Sequence, residues 1–437
     1  MPTSDRLVEN PGQLKDLASR IRAKALSPVD LVHGYLDRIS DVDGRVMAWT
    51  QLDGERALAE ARQCELEAQA GTLRGPLHGV PVGIKDVIDA EGLPTRCNSR
   101  SRASATNARA DAEIVAAIKA AGAIVLGKVQ TTEFAFFDPP PTRNLKHTPV
   151  GSSSGSAAAV ASGMVPLALG TQTFASVNRP AAYCGISAFK PSTRSLSTFG
   201  VIPLAPYSDT VGFFGWTVED ATAFYEAVLP FYMRGASAGT PEELRVAYIE
   251  DPLIGDASPG ALQTCRAMLE SFRAECAVET RPSPVPMDKL VDLLKRIMLF
   301  ELSRIHRDLL DLPADLVGSR FREGVIEGLT ISDQQYRHRR AELDRLRDLF
   351  FSALQDVSGF LWPATPGPAP EGIDWTGDPR YIAPWTALGG PIVTIPATTS
   401  PTGLPLGCIL AGSPGADVPI CGLARRLAHA WEQRAKN

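Results

Sequence analysis

Two side chains and one serine-rich run stand out as able to do chemistry together. Lys85 ends the apolar run "GVPVGIK", residues 79–85. An ammonium that a buried strand carries inward loses its hydration. Burial disfavours the charged form, so such a lysine can accept a proton. A lysine at a strand end can also snorkel to the surface. Asp86 follows, but strand alternation turns successive side chains to opposite faces. The second side chain is Ser176, within "LGTQTFASVNRPAAYCG", residues 169–185. A serine needs a base to become nucleophilic. No histidine is near it in sequence, and a lysine relayed through a second serine is the alternative base system. The backbone N–H groups of Thr173, Phe174, Ala175 and Ser176 form a polar turn able to bind a developing oxyanion. Arg179, three residues on, presents a planar fork that matches a carboxylate. It can equally serve a structural ion pair beneath the turn.

The serine-rich run "GSSSGSAAAV", 151–160, admits several readings. Its first five residues satisfy G-x-S-x-G centred on Ser153, yet that motif needs a hydrophobic strand ahead of it and "RNLKHTPV" is a poor one. A phosphate loop would need a Gly-Lys-Ser/Thr that is absent. The plain reading is a serine N-cap on an alanine-rich helix.

The elements that must hold these residues are legible from periodicity. Residues 12–70 read as helical, with Ser27-Pro28 as a cap and first position. "GPLHGVPVGIKDVIDAEGLPT" reads as a buried strand between Gly and Pro punctuation. "DAEIVAAIKAAG" reads as a helix stopped at Gly122, followed by the strand "AIVLGK". "GSAAAVASG" reads as a helix, and "MVPLALGTQ" and "GISAFKPS" as strands. The segment 218–355 is more charged and mainly helical, with a strand at 245–249. Short strands return after 356, and a closing amphipathic helix covers "ADVPICGLARRLAHAWEQRAKN". The predicted fold class is α/β. The predicted organisation is one domain over 1–437: a helical N-terminal segment 1–70, a core of 71–217 and 356–437, and a variable insertion 218–355.

Bulk properties exclude several function classes. At 437 residues, 44% hydrophobic and 21% charged, the chain has the composition of a globular protein with a sizeable core. A net charge of −5 without a basic run gives no support to nucleic-acid or anionic-membrane binding. "MPTSDRLVEN" holds no apolar signal region and no 18-residue apolar stretch follows, so a soluble, cytoplasmic protein is expected. Seven cysteines lack CxxC spacing and six histidines lack HExxH. Neither a metal nor any other cofactor is expected.

The chain resembles the amidase signature family. The resemblance rests on "GVPVGIKD", on "AGAIVLGKVQTTEFA" at 121–135, and above all on "GSSSGSAAAVASGMVPLALGTQTFASVNRPAAYCGISAFKPS" at 151–192. "WPATPGPAP" and "GGPIVTIP…GLPLGCILAG" extend it, and 220–355 is the least diagnostic part. The resemblance implies a large mixed β-sheet flanked by helices on both faces. It also implies a Ser–cis-Ser–Lys triad, with Lys85 as base, Ser152 as a bridging serine after a cis peptide, and Ser176 as nucleophile. It implies a small-molecule amide substrate hydrolysed through an acyl-enzyme, and a homodimer.

The departures from the family pattern shape the expected specificity. Most members have Gly-Gly before the nucleophile, where this chain has Phe174-Ala175. Phe174 is expected to narrow or re-line the acyl pocket. Val150 likewise replaces a common glycine. Gln172 and Arg179 are similar to the malonamidase and carboxybiuret hydrolase branch, whose substrates are small acids bearing an amide. Asn178, Thr132, Phe136 and Trp385 are further pocket candidates. Two rival functions remain: the A-type component of an amidotransferase, using glutamine, and a non-hydrolytic scaffold whose Phe-Ala turn has closed the site.

Overall fold

The computed structural model describes residues 7–139, 146–232 and 244–436. In chain order its strands are β1 (Trp49–Leu52), β2 (Pro81–Lys85), β3 (Ile124–Val129), β4 (Leu167–Gln172), β5 (Ser187–Lys190), β6 (Thr210–Gly215), β7 (Arg245–Glu250), β8 (Ala277–Pro282), β9 (Gly359–Pro363), β10 (Ile392–Thr399) and β11 (Pro405–Ala411). They form one 11-stranded sheet in the order β1-β3-β2-β4-β6-β5-β10-β11-β9-β7-β8. The pairs of β2 with β3 and β4, and of β7 with β8 and β9, are parallel. The strands between those groups, and the β1 edge, pair antiparallel.

Side-chain alternation divides the core between the two faces of this sheet. Leu167, Leu169, Phe189 and Phe213 join one apolar cluster, while Ala168, Ala188 and Phe214 join the other. The second cluster is closed by the helices Pro28–Val46, Gly54–Ala70 and Ser154–Ala161. Helix Pro28–Val46 forms as its sequence predicts. Ser27 Oγ accepts from the N–H groups of Val29 and Asp30 at 3.1 and 3.3 Å, and Val32, Tyr35, Ile39, Val42 and Val46 lie along one buried stripe.

Helix Ser154–Ala161 is buried on every side, because only Ser, Gly, Ala and Val fit there. A side chain at Gly155 would put its Cβ 2.2 Å from Gln130 N and 2.5 Å from Ala48 O. Both are backbone atoms that cannot step aside. Gly155→Ala is therefore expected to destabilise the fold by about 1–3 kcal/mol, measured as a lower midpoint in chemical denaturation. An unchanged midpoint would show that the helix docks more loosely than this geometry requires.

Several elements differ from the sequence expectations. Trp49–Leu52, inside the stretch read as helical, is an edge strand paired with β3. Four residues are too few to interrupt a helical pattern visibly. Strands β6 and β8 were also not expected. β6 has glycine at positions 212 and 215, where Val177 and Asp220 pack against the backbone. β8 is an edge strand of half-exposed, partly charged residues, without a clean two-residue alternation. Segment 218–355 thus adds two strands to the sheet as well as the helices Met287–Ile305, Ser319–Leu329 and Asp333–Ala353. The serine cap expected on helix Ser154–Ala161 does not form. Ser153 Oγ instead donates to Thr171 O at 3.1 Å and accepts from Thr171 N at 3.2 Å, tying the helix start to β4.

Candidate active site

Lys85 is the last residue of β2 and is fully buried. Its Nζ lies 2.6 Å from Ser152 Oγ, 2.8 Å from Thr171 Oγ1 and 3.3 Å from Thr171 O. Burial pushes the amine well below the ordinary lysine range, and the negative charge of Asp209 pulls weakly the other way. All three contacts are to oxygens that can accept from Nζ. When the amine is neutral, its two N–H groups can keep the Thr171 carbonyl and hydroxyl while its lone pair accepts from the Ser152 O–H. Asp86 turns away from Lys85 and pairs with the buried Lys128 at 3.2 Å.

Ser152 follows a cis peptide from Gly151. Its carbonyl accepts from Thr132 N at 3.2 Å, and the next residue's N–H donates to Ser176 O at 3.3 Å. The peptide that follows Ser152 is thus tied to the backbone of Ser176, although 24 residues separate the two serines in sequence.

Ser176 sits in the turn between β4 and the short helix Asn178–Cys184. Gln172 shapes that turn from the end of β4. Its Oε1 accepts from Val177 N at 2.7 Å and Asn178 N at 3.0 Å, capping the short helix from across the turn. Its Nε2 donates to Asn178 Oδ1 and Thr386 Oγ1. The Thr386 hydroxyl in turn donates to Phe174 O at 2.7 Å. Asn178 Nδ2 donates to Ile392 O and Thr394 Oγ1 in β10. The polar atoms of Gln172 and Asn178 are thus spent on bracing the turn. Among the described residues, no hydrogen bond within the chain uses the N–H of Phe174, Ala175 or Ser176. The chain therefore leaves these three N–H groups without an internal acceptor.

Neither Phe174 nor Ala175 has positive φ. The turn therefore needs no glycine for its backbone shape, and the Phe-Ala pair is compatible with it. Val150 is different: it has φ 66°, in the left-handed region that costs a β-branched residue most. Phe174 lines a cavity of about 10 Å³ with Phe136, Phe137, Ser176, Arg179, Leu204 and Met298. That is room for roughly one water molecule.

Arg179 is fully buried beside this cavity. Its Nη1 donates to Gly377 O at 2.7 Å and its Nη2 to Gly151 O at 2.8 Å. Its Nε has no partner. No carboxylate among the described residues pairs with it, and Asp378 acts only from longer range. Burial lowers its pKa to about 10, against smaller opposing effects of Tyr183 and Asp378.

Thr132 and Phe136 come to the site in different ways. Thr132 Oγ1 donates to Phe136 O at 2.6 Å, so it sets the loop that places the Phe136 ring in the cavity wall. Trp385 does not reach the cavity. It stacks on Phe360 with 5.8 Å between ring centres, packed among Phe350 and Trp362 in the core. Its place next to Thr386 in sequence gives no sign of this.

Three site residues escaped the sequence analysis: Thr171, Asp209 and Thr386. Thr171 was visible within "TQT", but nothing in a threonine marks it as a lysine's partner. Asp209 Oδ1 accepts from Thr173 Oγ1 at 2.5 Å, and its Oδ2 accepts from Leu204 N at 2.9 Å and Ala205 N at 3.0 Å. Asp209 is brought to the turn by β6 and Thr386 by the short helix Ala383–Leu388. One cluster has metal-ligating residue types, Cys64, Glu67 and His78. Its imidazole is already engaged by Cys64 O and Arg74 N, and its carboxylate by Arg74.

Comparison with known proteins agrees with this architecture. The amidase family model matches residues 30–421. The chain is 30% identical to the A-type subunit of the glutamyl-tRNA(Gln) amidotransferase of Geobacter metallireducens, over 96% of each chain. In solved structures it is similar to a protein from a vestigial complex that bears on the evolutionary origins of an s-triazine catabolic enzyme. That match has a TM-score of 0.87 and 26% identity, over 97% of this chain and 98% of the other. The peptide amidase of Stenotrophomonas maltophilia aligns with a TM-score of 0.81 and 27% identity, over 97% of both chains. The chain belongs to the amidase family and has its fold. Among the described residues, no helix is long and apolar enough to cross a membrane.

Proposed function

We propose that this chain hydrolyses the C–N bond of a small amide bearing a carboxylate, through an acyl-enzyme on Ser176. The observation that carries this is the buried Lys85 amine 2.6 Å from Ser152 Oγ, on the serine just before Ser153, whose N–H donates to Ser176 O. Ser152 passes its proton to the Lys85 lone pair and takes the proton of Ser176. Ser176 Oγ then attacks the amide carbonyl, and the free N–H groups of the 174–176 turn receive the oxyanion. The proton returns to the leaving nitrogen, and water later cleaves the ester. The unpaired charge of Arg179 beside Ser176 supports a short, anionic acyl portion, and the Phe136, Phe137 and Met298 wall must open beyond its one-water volume to admit it. Gln172, Asn178 and Thr132 act in this scheme as braces, while Phe174 and Phe136 set the width of the pocket. The chain functions as one catalytic unit over 1–437, as a homodimer.

A second reading is an amidotransferase component that draws ammonia from glutamine, favoured by the similarity to the Geobacter amidotransferase chain over 96% of both sequences. One experiment separates them. Ammonia release is measured from malonamate, neutral aliphatic amides and glutamine, beside fluorophosphonate labelling of wild type and Ser176→Ala. Hydrolysis of carboxylate-bearing amides, with labelling lost in Ser176→Ala, supports the hydrolase. Turnover of glutamine alone, with small subunits co-purifying, supports the amidotransferase. No turnover and no labelling would mean a scaffold.

A further inference from the structure

We propose that Asp209 is a positioning residue for the reaction, a buried carboxylate that clamps the oxyanion turn to the opposite wall of the pocket. This rests on the triad assignment made above. Asp209 lies just ahead of β6, whose Thr210 pairs with Gln172 at the end of β4. One oxygen takes the hydroxyl of Thr173, the first residue of the turn. The other takes the N–H groups of Leu204 and Ala205. Leu204 and Thr173 both line the cavity at Ser176. A single side chain therefore fixes the distance between the turn that holds the nucleophile and the wall that faces it.

The partners also fix the state of the carboxyl. Oδ2 receives two N–H donors and has no room for a proton, and Oδ1 receives a hydroxyl. This donor set suits a carboxylate, although burial favours the neutral acid. Kept ionised, Asp209 is the negative charge acting on Lys85. The other groups acting at Lys85 are neutral: the hydroxyls of Ser152 and Thr171, and the Cys97 thiol, which burial pushes up to about 12. Glu301 is the negative charge acting on Asp209 itself, and it is engaged by Tyr207 N and Tyr336 O–H. Asp209 thus has two separable effects. Its hydrogen bonds hold the turn, and its charge raises the proton affinity of the base.

The two effects separate in three variants, read as the pH dependence of fluorophosphonate labelling at Ser176. Asp209→Asn should slow labelling by about 10- to 100-fold, the scale of losing catalytic alignment. It should also move the acid limb of the profile to lower pH, since an uncompensated lysine gives up its proton more readily. Thr173→Val cuts the clamp but keeps the charge, so it should slow labelling and leave the acid limb in place. Thr173→Ser should restore most of the rate. Asp209→Asn that labels at the wild-type rate with the wild-type limb would overturn the proposal. If Asp209→Asn does not fold, Thr173→Val labelling at the wild-type rate would overturn it equally. Wild type that resists the probe at every pH would instead refute the triad assignment, and this inference with it.

Discussion

Lys85→Met is expected to lower kcat/KM for any amide substrate by about 10²- to 10⁴-fold, the usual contribution of a positioned general base. Methionine is close to lysine in length and suits a fully buried site, so loss of the amine is the main change. The pH profile adds a second readout. The amine works only when neutral, and burial holds it well below the ordinary 10.5. Wild-type activity should therefore rise with pH through that lowered value and then level off. In Lys85→Met this limb should be absent.

Stability should respond to the same substitution with a definite sign. The unfolded chain keeps a proton on Lys85 up to about its ordinary value of 10.5, whereas the folded chain loses it at lower pH. Between those two values the unfolded state binds more protons, so this group makes the wild type more stable as pH rises. The stability of wild type relative to Lys85→Met should therefore increase with pH across that window, in denaturant titrations run side by side. A gap that stays flat with pH, together with an unshifted acid limb of activity, would mean that Lys85 is not the titrating base.

What could be read from the sequence follows from how each residue is held. Lys85 and Ser176 were visible because each ends or follows a strand with clear apolar character, and strands β2, β3 and β4 lie side by side in the sheet. The helix from Pro28 was visible because its cap, its proline and its buried stripe are all local. Asp209 was not, because its task is set by β4 pairing with β6, and that pairing leaves no periodic trace. Gln172 and Asn178 were misplaced for a related reason. A polar residue beside a nucleophile looks like a substrate contact, yet a turn inside a sheet must satisfy its own backbone first. Here Gln172 does so for Val177 and Asn178. Trp385 was misjudged because nothing local distinguishes a pocket aromatic from the stacked cluster around Phe360.

Arg179→Lys is expected to cut the preference for carboxylate-bearing over neutral amides by about 10- to 100-fold, roughly the value of a charge-assisted, two-point contact. The guanidinium is fully buried, yet its two bonded nitrogens reach only carbonyl oxygens, and its Nε has no partner. Carbonyls satisfy N–H groups but do not neutralise a charge. A substrate carboxylate, admitted as the one-water cavity opens, would supply the missing counter-ion. The bond to Gly151 O complicates a simple loss-of-activity test, because Gly151 leads into Ser152. Any change at Arg179 should slow neutral amides somewhat as well. The informative quantity is therefore the ratio of kcat/KM for malonamate to that for a neutral amide of similar length, in wild type and variant. An equal loss on both substrates, with the ratio unchanged, would leave Arg179 as a brace for the Gly151 peptide and nothing more.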